Sequence, residues 1–155
     1  MTAFYTLDRA NARLPELTRV LADLQAERAE VIALRDRLAA ARLASGVSRG
    51  GRPAVGEAGD DAHATGGPES ADPAETPRVL ALRIQGVIDR MQGGVARIDE
   101  WSVQLRDIET GLVDFPALAS GRAIWLCWRL GEAEVGWWHE LEAGVAGRRP
   151  ISELA

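Results

Sequence analysis

The chain has 155 residues, which is long enough for one domain to bury a core without disulfides or a structural metal. Its single cysteine, Cys127, cannot form an internal disulfide. The first residues lack the charged-then-apolar order of a signal peptide, so we expect a cytoplasmic protein. All 18 basic residues are arginine, and the absence of lysine excludes Schiff-base chemistry and a phosphate-loop lysine.

The negative charge is concentrated in one segment. Residues 45–77 hold six acidic side chains and two arginines, which is −4 of the formal net charge of −5. The remainder is close to neutral, so there is no basic surface of the kind that binds nucleic acid. No apolar run approaches membrane-spanning length. We therefore expect neither nucleic acid nor a membrane as a partner.

Two helices are predicted before this segment. Thr6 can cap a short helix over residues 7–13, and Pro15 is suited to the first turn of a second, long helix over 15–44. Apolar side chains recur at a spacing of seven along that long helix, which predicts one amphipathic stripe. The stripe consists of Leu17, Leu24, Val31 and Leu38.

Residues 45–77 are rich in glycine and proline and hold almost no large apolar side chain, which predicts a disordered loop that contains His63. Another long helix, over 78–109, follows, with apolar residues again at a spacing of seven. The two stripes should pack together as a coiled-coil-like antiparallel hairpin inside one domain, residues 1–155. The second stripe consists of Ile84, Met91, Ile98 and Leu105.

A tryptophan-rich β-hairpin is predicted over residues 122–141, before a tail over 142–155. Pairing Leu130 with Val135 places Leu126 opposite His139 and makes one face apolar except for that histidine. A slip by one residue would bring Glu134 and other polar residues onto that face, so burial favours the first register. The second face then holds Trp125, Cys127, Arg129, Trp138 and Glu140. The expected fold class is α+β and mainly α, a two-helix hairpin packed on a small antiparallel β-hairpin, with a short N-terminal helix.

Several segments together resemble a known family. They are Thr6-Leu-Asp-Arg-Ala-Asn-Ala-Arg-Leu-Pro-Glu-Leu, Gly111-Leu-Val-Asp-Phe-Pro-Ala, Leu126-Cys-Trp-Arg-Leu-Gly-Glu-Ala-Glu-Val, Trp138-His-Glu and Gly147-Arg-Arg-Pro. This pattern is similar to the bacterial family catalogued as domain of unknown function 2203, except that Ala133 replaces the usual proline and Arg149 the usual glutamine. The resemblance implies a family and a bacterial source, but no reaction.

His139 is the centre of the candidate site. Carboxylates near it along the chain offer acid–base or metal chemistry, and a divalent metal bound by His139 with Glu132 and Glu134 is one interpretation. A structural histidine at the edge of the core is the other, so no cofactor is predicted and no metal ligand is assigned. A nucleophilic Cys127–His139 pair is disfavoured because the predicted register separates the two side chains. The candidate site comprises His139, Glu140, Glu132, Glu134, Asp114, Arg129 and Arg148.

Trp125 and Trp138, beside Arg129, are candidates for an interface, because tryptophan and arginine dominate binding hot spots. The alternative is that residues 112–118 or the tail cover these two rings, since large aromatic side chains usually find cover. Arg148 either helps to bind an anion or pairs with Glu140 or Glu142. Two functions therefore stay open. The first is a non-catalytic module that binds a protein partner or a second copy, and the alternative is a small metal-dependent or acid–base enzyme centred on His139 with Glu132, Glu134 and Glu140.

Overall fold

The computed structural model describes residues 3–48 and 75–154. The predicted class is confirmed: the protein is α+β and mainly helical, with two long helices packed together and a sheet near the C-terminus. The chain divides into two compact units, Met1–Arg28 with Asp89–Ala155, and Ala29–Ile88. The expectation of a single domain over residues 1–155 stays a prediction.

The first helix, α1, is continuous over Leu7–Ser48, so the separate short helix at 7–13 was wrong. Thr6 caps it as expected, with its Oγ1 accepting the Arg9 N–H at 3.3 Å. Pro15 lies inside the helix, where proline costs roughly 3 kcal/mol. Leu14 and Leu17 are buried on either side of Pro15, and this burial favours an unbroken helix.

Residues 45–48, predicted as loop, form the last turn of α1. The remainder of the predicted disordered loop up to residue 74, including His63, lies outside the described residues.

The second helix, α2, spans Pro77–Glu100, and Thr76 caps it by accepting the Val79 N–H at 3.3 Å. The predicted end at residue 109 was wrong. Ser102 adopts a positive φ of 59°, and the Val103 N–H turns back to the Ile98 carbonyl. The apolar spacing of seven continues to Leu105, but that residue lies in a strand, because pairing with another strand satisfies its backbone.

Five strands form one antiparallel sheet in chain order, so the predicted hairpin is part of a larger meander. The first strand, which was predicted as helix, was missed, and so were the second strand and the strand in the tail. Pro116 lies beyond the residues of the second strand that pair with the first strand, so its missing N–H removes no hydrogen bond between these two strands. The Pro116 carbonyl accepts a hydrogen bond from the Tyr5 N–H at 2.7 Å. The strands are β1 Gln104–Asp107, β2 Leu112–Ala119, β3 Arg122–Arg129, β4 Trp137–His139 and β5 Arg149–Pro150.

The register of β3 and β4 differs by one residue from the predicted one. Trp125 pairs with His139 and Leu126 with Trp138, so every β4 side chain lies on the opposite face from the one expected. The connection is not a tight four-residue turn, because Val135 donates its N–H to Asn11 Oδ1 at 2.8 Å instead of entering the strand. Glu134 is therefore outside the sheet. This register does not bury Glu134 on the apolar face, which was the reason for disfavouring it.

One face of the sheet, here called the inner face, packs on the helices of the first unit to form the core. The helices run antiparallel there, since Gly94 lies against Leu24 while Arg90 lies 3.9 Å from Glu27. Aromatic contacts tie the N-terminal segment to the sheet, with Tyr5 edge-on to Phe115 at 5.0 Å. Inner-face core residues include Val113, Phe115, Ala117, Ile124, Leu126, Trp128 and Trp138.

The second unit is described by residues 29–48 and 75–88, which belong mainly to the two helices. Their apolar stripes are buried, as the spacing predicted, and Arg37 forms an ion pair with Glu75. None of the helices in the described ranges is long and apolar enough to cross a membrane. The buried stripe residues are Val31, Leu34, Leu38, Leu80, Ile84 and Val87.

Gly111 lies at a turn that no other residue fits well. Its φ is +67°, and a Cβ there would lie 2.5 Å from the Leu130 Cβ. We expect Gly111→Ala to lower the free energy of unfolding by about 2–4 kcal/mol, from left-handed strain and overpacking together. Gly93→Ala is the matched control, because its Cβ would meet nothing within 4 Å and should stabilise α2 by roughly 0.5–1 kcal/mol. Urea unfolding of both variants measures the difference, and equal stabilities would contradict the assigned turn.

Candidate functional site

Three side chains with potential metal-ligand atoms meet on the face of the sheet that points away from the helices, here called the outer face. Asp114 on β2 pairs with Cys127 on β3, and Trp125, two residues before Cys127, pairs with His139 on β4. This register places Asp114, Cys127 and His139 on the same face. One ligand atom from each lies within 4.8 Å of the others, and all three residues are buried. We call this group the Asp–Cys–His cluster.

The hydrogen bonds of His139 determine where its protons lie. Nδ1 is 2.8 Å from the Glu140 carbonyl oxygen, which can only accept, so Nδ1 carries a proton and donates. Nε2 is 3.0 Å from Asp114 Oδ2, and these two atoms need a second proton between them to attract each other. The ring is therefore hydrogen-bonded at both nitrogens.

Asp114 is shared between His139 and an arginine. Its Oδ2 also accepts a hydrogen bond from Arg106 Nε at 2.8 Å. Arg106 occupies the β-bulge between Leu105 and Asp107, and such bulges re-aim side chains. The other carboxylate oxygen, Oδ1, is buried and receives no hydrogen bond from a nitrogen or oxygen donor of the described residues, and the Cys127 sulfur lies within 4.8 Å of the carboxylate. A buried oxygen without such a hydrogen bond costs free energy, and a cation bound beside it would offset that cost.

Cys127 is fully buried, and burial together with the negative charge of Asp114 raises the pKa of its thiol to about 12. Arg148 acts in the opposite direction but with a smaller effect. Cys127 and His139 do share a face, so the register argument against a nucleophilic pair was wrong. The histidine nevertheless bonds to Asp114 and not to the thiol, which stays protonated at neutral pH and is a poor nucleophile.

A cleft of about 420 Å³ opens beside the cluster. Asp114 and His139 contribute its buried polar lining, and Arg106 contributes a charged, partly exposed side chain. The cleft has the size of a small-ligand site and combines apolar walls with a few convergent polar groups. Its apolar lining consists of Leu112, Leu141 and Val145.

The loop carboxylates predicted near His139 lie elsewhere. Glu132 accepts hydrogen bonds from Arg148 Nη2 at 2.9 Å and from the Arg129 backbone at 2.9 Å, whereas Glu134 is exposed. The Glu140 side chain pairs with Arg122 at 2.8 Å and contributes only its carbonyl to His139.

The interpretation in which Glu132 and Glu134 bind a metal together with His139 was therefore wrong about these two carboxylates. The Arg129 side chain is exposed on the outer face, and Arg148 pairs with Glu132, not with Glu140 or Glu142.

The structure separates the two candidate interface tryptophans, and the tail covers Trp138. Trp138 is 4% exposed on the inner face, where its Nε1 donates to the Pro150 carbonyl at 3.2 Å. Trp125 is half-buried on the outer face beneath Arg106, whose guanidinium carbon lies 5.0 Å from the ring centre. The two rings lie on opposite faces and cannot share an exposed patch.

Arg106 was missed because it was assigned to a helix, and Cys127 was set aside because of the predicted register. A usable signal was present in Gly111-Leu-Val-Asp-Phe-Pro-Ala, where Val113 and Phe115 alternate with Asp114. This is the period-two pattern of a strand, and it places a carboxylate opposite the core.

The fold and the cluster define a mainly helical α+β protein with a buried Asp–Cys–His cluster beside a cleft. Residues 3–151 match the family described as uncharacterized conserved protein (DUF2203), and the chain belongs to this family. No curated protein and no solved structure matches the chain.

The raised pKa of Cys127 predicts an unreactive thiol. Native protein at pH 8 should not react with Ellman's reagent, and denatured protein should release one equivalent, because Cys127 is the only cysteine. The unfolded thiol ionises near its ordinary pKa of 9.0, so its contribution to stability is fully present below pH 9 and is lost as the pH rises towards about 12. Rapid labelling of the native protein would show that the thiol is not protected.

Asp114 should be essential for local stability, because it pairs with buried His139 and with Arg106. We expect Asp114→Ala to lower the free energy of unfolding by about 3–5 kcal/mol, since it leaves a buried partner uncompensated. Glu140→Ala is the control, because it removes only an exposed pair with Arg122 and should cost at most about 1 kcal/mol. Denaturant unfolding in the presence of a chelator separates this effect from any bound metal. A cost for Asp114→Ala no larger than the control's would contradict the buried pair.

Proposed function

We propose that this protein binds one divalent transition-metal ion through Asp114, Cys127 and His139, and acts as a small metal-dependent enzyme. The observation that carries the proposal is the meeting of three buried ligand atoms, one oxygen, one sulfur and one nitrogen, within 4.8 Å of one another. Asp114 and His139, which supply two of these atoms, also line a cleft that a small molecule can enter. This keeps the metal-dependent alternative of the sequence analysis but replaces its carboxylates with Asp114.

The donor set suits zinc or a similar ion. A thiolate with an imidazole and a carboxylate favours transition metals over magnesium or calcium, which prefer oxygen ligands. Ligand atoms around a tetrahedral zinc ion lie roughly 3.3–3.8 Å apart. Since the three atoms already lie within 4.8 Å, small side-chain movements would bring them to an ion.

The surroundings of the ligands also match a metal site. Metal-bound histidines usually donate their second ring N–H to a carbonyl or carboxylate, as His139 Nδ1 does to Glu140. Metal-bound carboxylates are usually held by a further hydrogen bond. Arg106 holds Asp114 Oδ2 in this way and leaves the unpaired Oδ1 for an ion.

Three protein ligands leave a coordination position open, which is typical of catalytic and not of structural zinc sites. Arg106, Asp114 and His139 all line the cleft, so a ligand there could approach that position. A divalent ion at this position would act as a Lewis acid towards a bound carbonyl or phosphoryl oxygen.

A purely structural role explains less. A buried histidine–aspartate pair is weak evidence for stability, since apolar residues of similar volume often stabilise a core as well or better. It also leaves Asp114 Oδ1 unpaired. The alternative of a non-catalytic interaction module was based in part on an exposed pair of tryptophans, and Trp138 is buried. Binding of a protein partner or a second copy through another surface stays a prediction.

Cobalt substitution tests the proposal directly. Chelator-treated protein should bind one equivalent of Co²⁺ and develop the near-ultraviolet charge-transfer absorption of a thiolate–cobalt bond. Cys127→Ser should abolish that absorption, and His139→Ala should weaken cobalt binding at least about tenfold, the scale of losing a ligand or its support.

Glu134→Gln is the matched control, because Glu134 is exposed and away from the cluster, and it should leave both properties unchanged. Circular dichroism and thermal unfolding verify that each variant is folded. Charge-transfer absorption that survives in Cys127→Ser, or the absence of stoichiometric cobalt in the wild type, would overturn the metal site.

A further inference from the structure

We infer that the cleft beside the Asp–Cys–His cluster takes a small monocarboxylate with a short apolar body, bound by Arg106 next to the metal position. This inference rests on the proposed metal site and adds the class of its ligand. It is carried by the charge of the cleft, the placement of Arg106 and the character of the walls.

Charge balance favours a monoanion. A divalent ion would be neutralised by the thiolate of Cys127 and the carboxylate of Asp114, with a neutral His139. Arg106 then adds one positive charge that lines the cleft, whereas Arg148 is already neutralised by Glu132. One negative charge on a ligand compensates Arg106. Glu142 also lines the cleft, but its side chain is exposed, so solvent screens its charge and it offsets Arg106 only weakly. It still disfavours a second negative charge on a ligand.

Arg106 is placed to orient a planar anion. Its Nε is occupied by Asp114, and its guanidinium is stacked on Trp125, so the group is held in one plane. The side chain is still 42% exposed and lines the cleft. The planar fork of an arginine matches the two oxygens of a carboxylate, and a charge-assisted pair of this kind is among the stronger polar contacts.

The walls favour an apolar body of limited size. Leu112 is buried, while Leu141 and Val145 are exposed at the cleft, so apolar surface is available to a ligand. Burial of a few methylene groups there adds roughly 0.8 kcal/mol each to binding. The volume of about 420 Å³ admits a small acid of this type.

Calorimetric titration of the cobalt-loaded protein with butyrate tests the inference, and acetate and inorganic phosphate serve as comparisons. We expect saturable butyrate binding, tighter than that of acetate, with a simultaneous change in the visible cobalt bands. Phosphate should bind more weakly than butyrate. Tighter binding of phosphate than of butyrate would overturn the assignment to carboxylates.

Arg106→Gln should weaken butyrate binding at least about tenfold, the effect of losing a charge-assisted hydrogen bond. Arg122→Gln is the matched control: it removes the same charge from an exposed pair and should leave the affinity within about twofold. Leu141→Glu places a negative charge, the same sign as that of the ligand, on the cleft wall at a residue that is not part of the cluster. This variant should also weaken butyrate binding several-fold. It therefore tests the inference even if Arg106→Gln does not fold.

The two proposals fail in different ways. If Arg106→Gln and Leu141→Glu retain the cobalt charge-transfer absorption and bind butyrate as the wild type does, the carboxylate inference is overturned and the metal site stands. If the wild type never develops that absorption, the metal site is overturned, and the inference that rests on it falls as well.

Discussion

The pairing register of β3 and β4 is the constraint on which the site depends. It differs by one residue from the register that the hydrophobic pattern favours. Val135 donates its N–H to Asn11 on α1, and the Trp128 indole donates to the Glu132 carbonyl at 3.0 Å. These bonds shape the connection so that β4 starts only at Trp137. Because side chains alternate between faces, the resulting register puts His139 beside Asp114 on the outer face and Trp138 in the core.

Asp114 concentrates the unfavourable electrostatics of the molecule in one place. It is buried at 2% exposure between His139 and Arg106, and one of its oxygens is unpaired. Desolvation of such a group opposes folding, and an ion pair only partly offsets it. Proteins usually retain arrangements of this kind where chemistry requires them. Burial raises the pKa of the neighbouring Cys127 thiol, and the charge of Asp114 raises it further, so this carboxylate affects the whole cluster.

Much of the fold followed from local patterns. The helical stripes of Leu17, Leu24 and Ile84 are buried as their spacing predicted, and the family resemblance is confirmed over residues 3–151. Errors arose where tertiary contacts override a local preference. Pro15 is accommodated inside α1, and the heptad pattern through Leu105 ends in a strand, because burial and strand pairing together outweigh a propensity of a few kcal/mol.

The sequence by itself determined the amphipathic helices, the strand character of residues 122–129 and the presence of His139, Cys127 and Asp114 as possible ligand residues. Hydrophobic periodicity is enough for this, because it depends only on neighbours along the chain. Only the tertiary structure decided that these three side chains meet and that Arg106 joins them. Strand register and a β-bulge depend on contacts between distant residues, such as Asn11 with Val135, which no local period encodes.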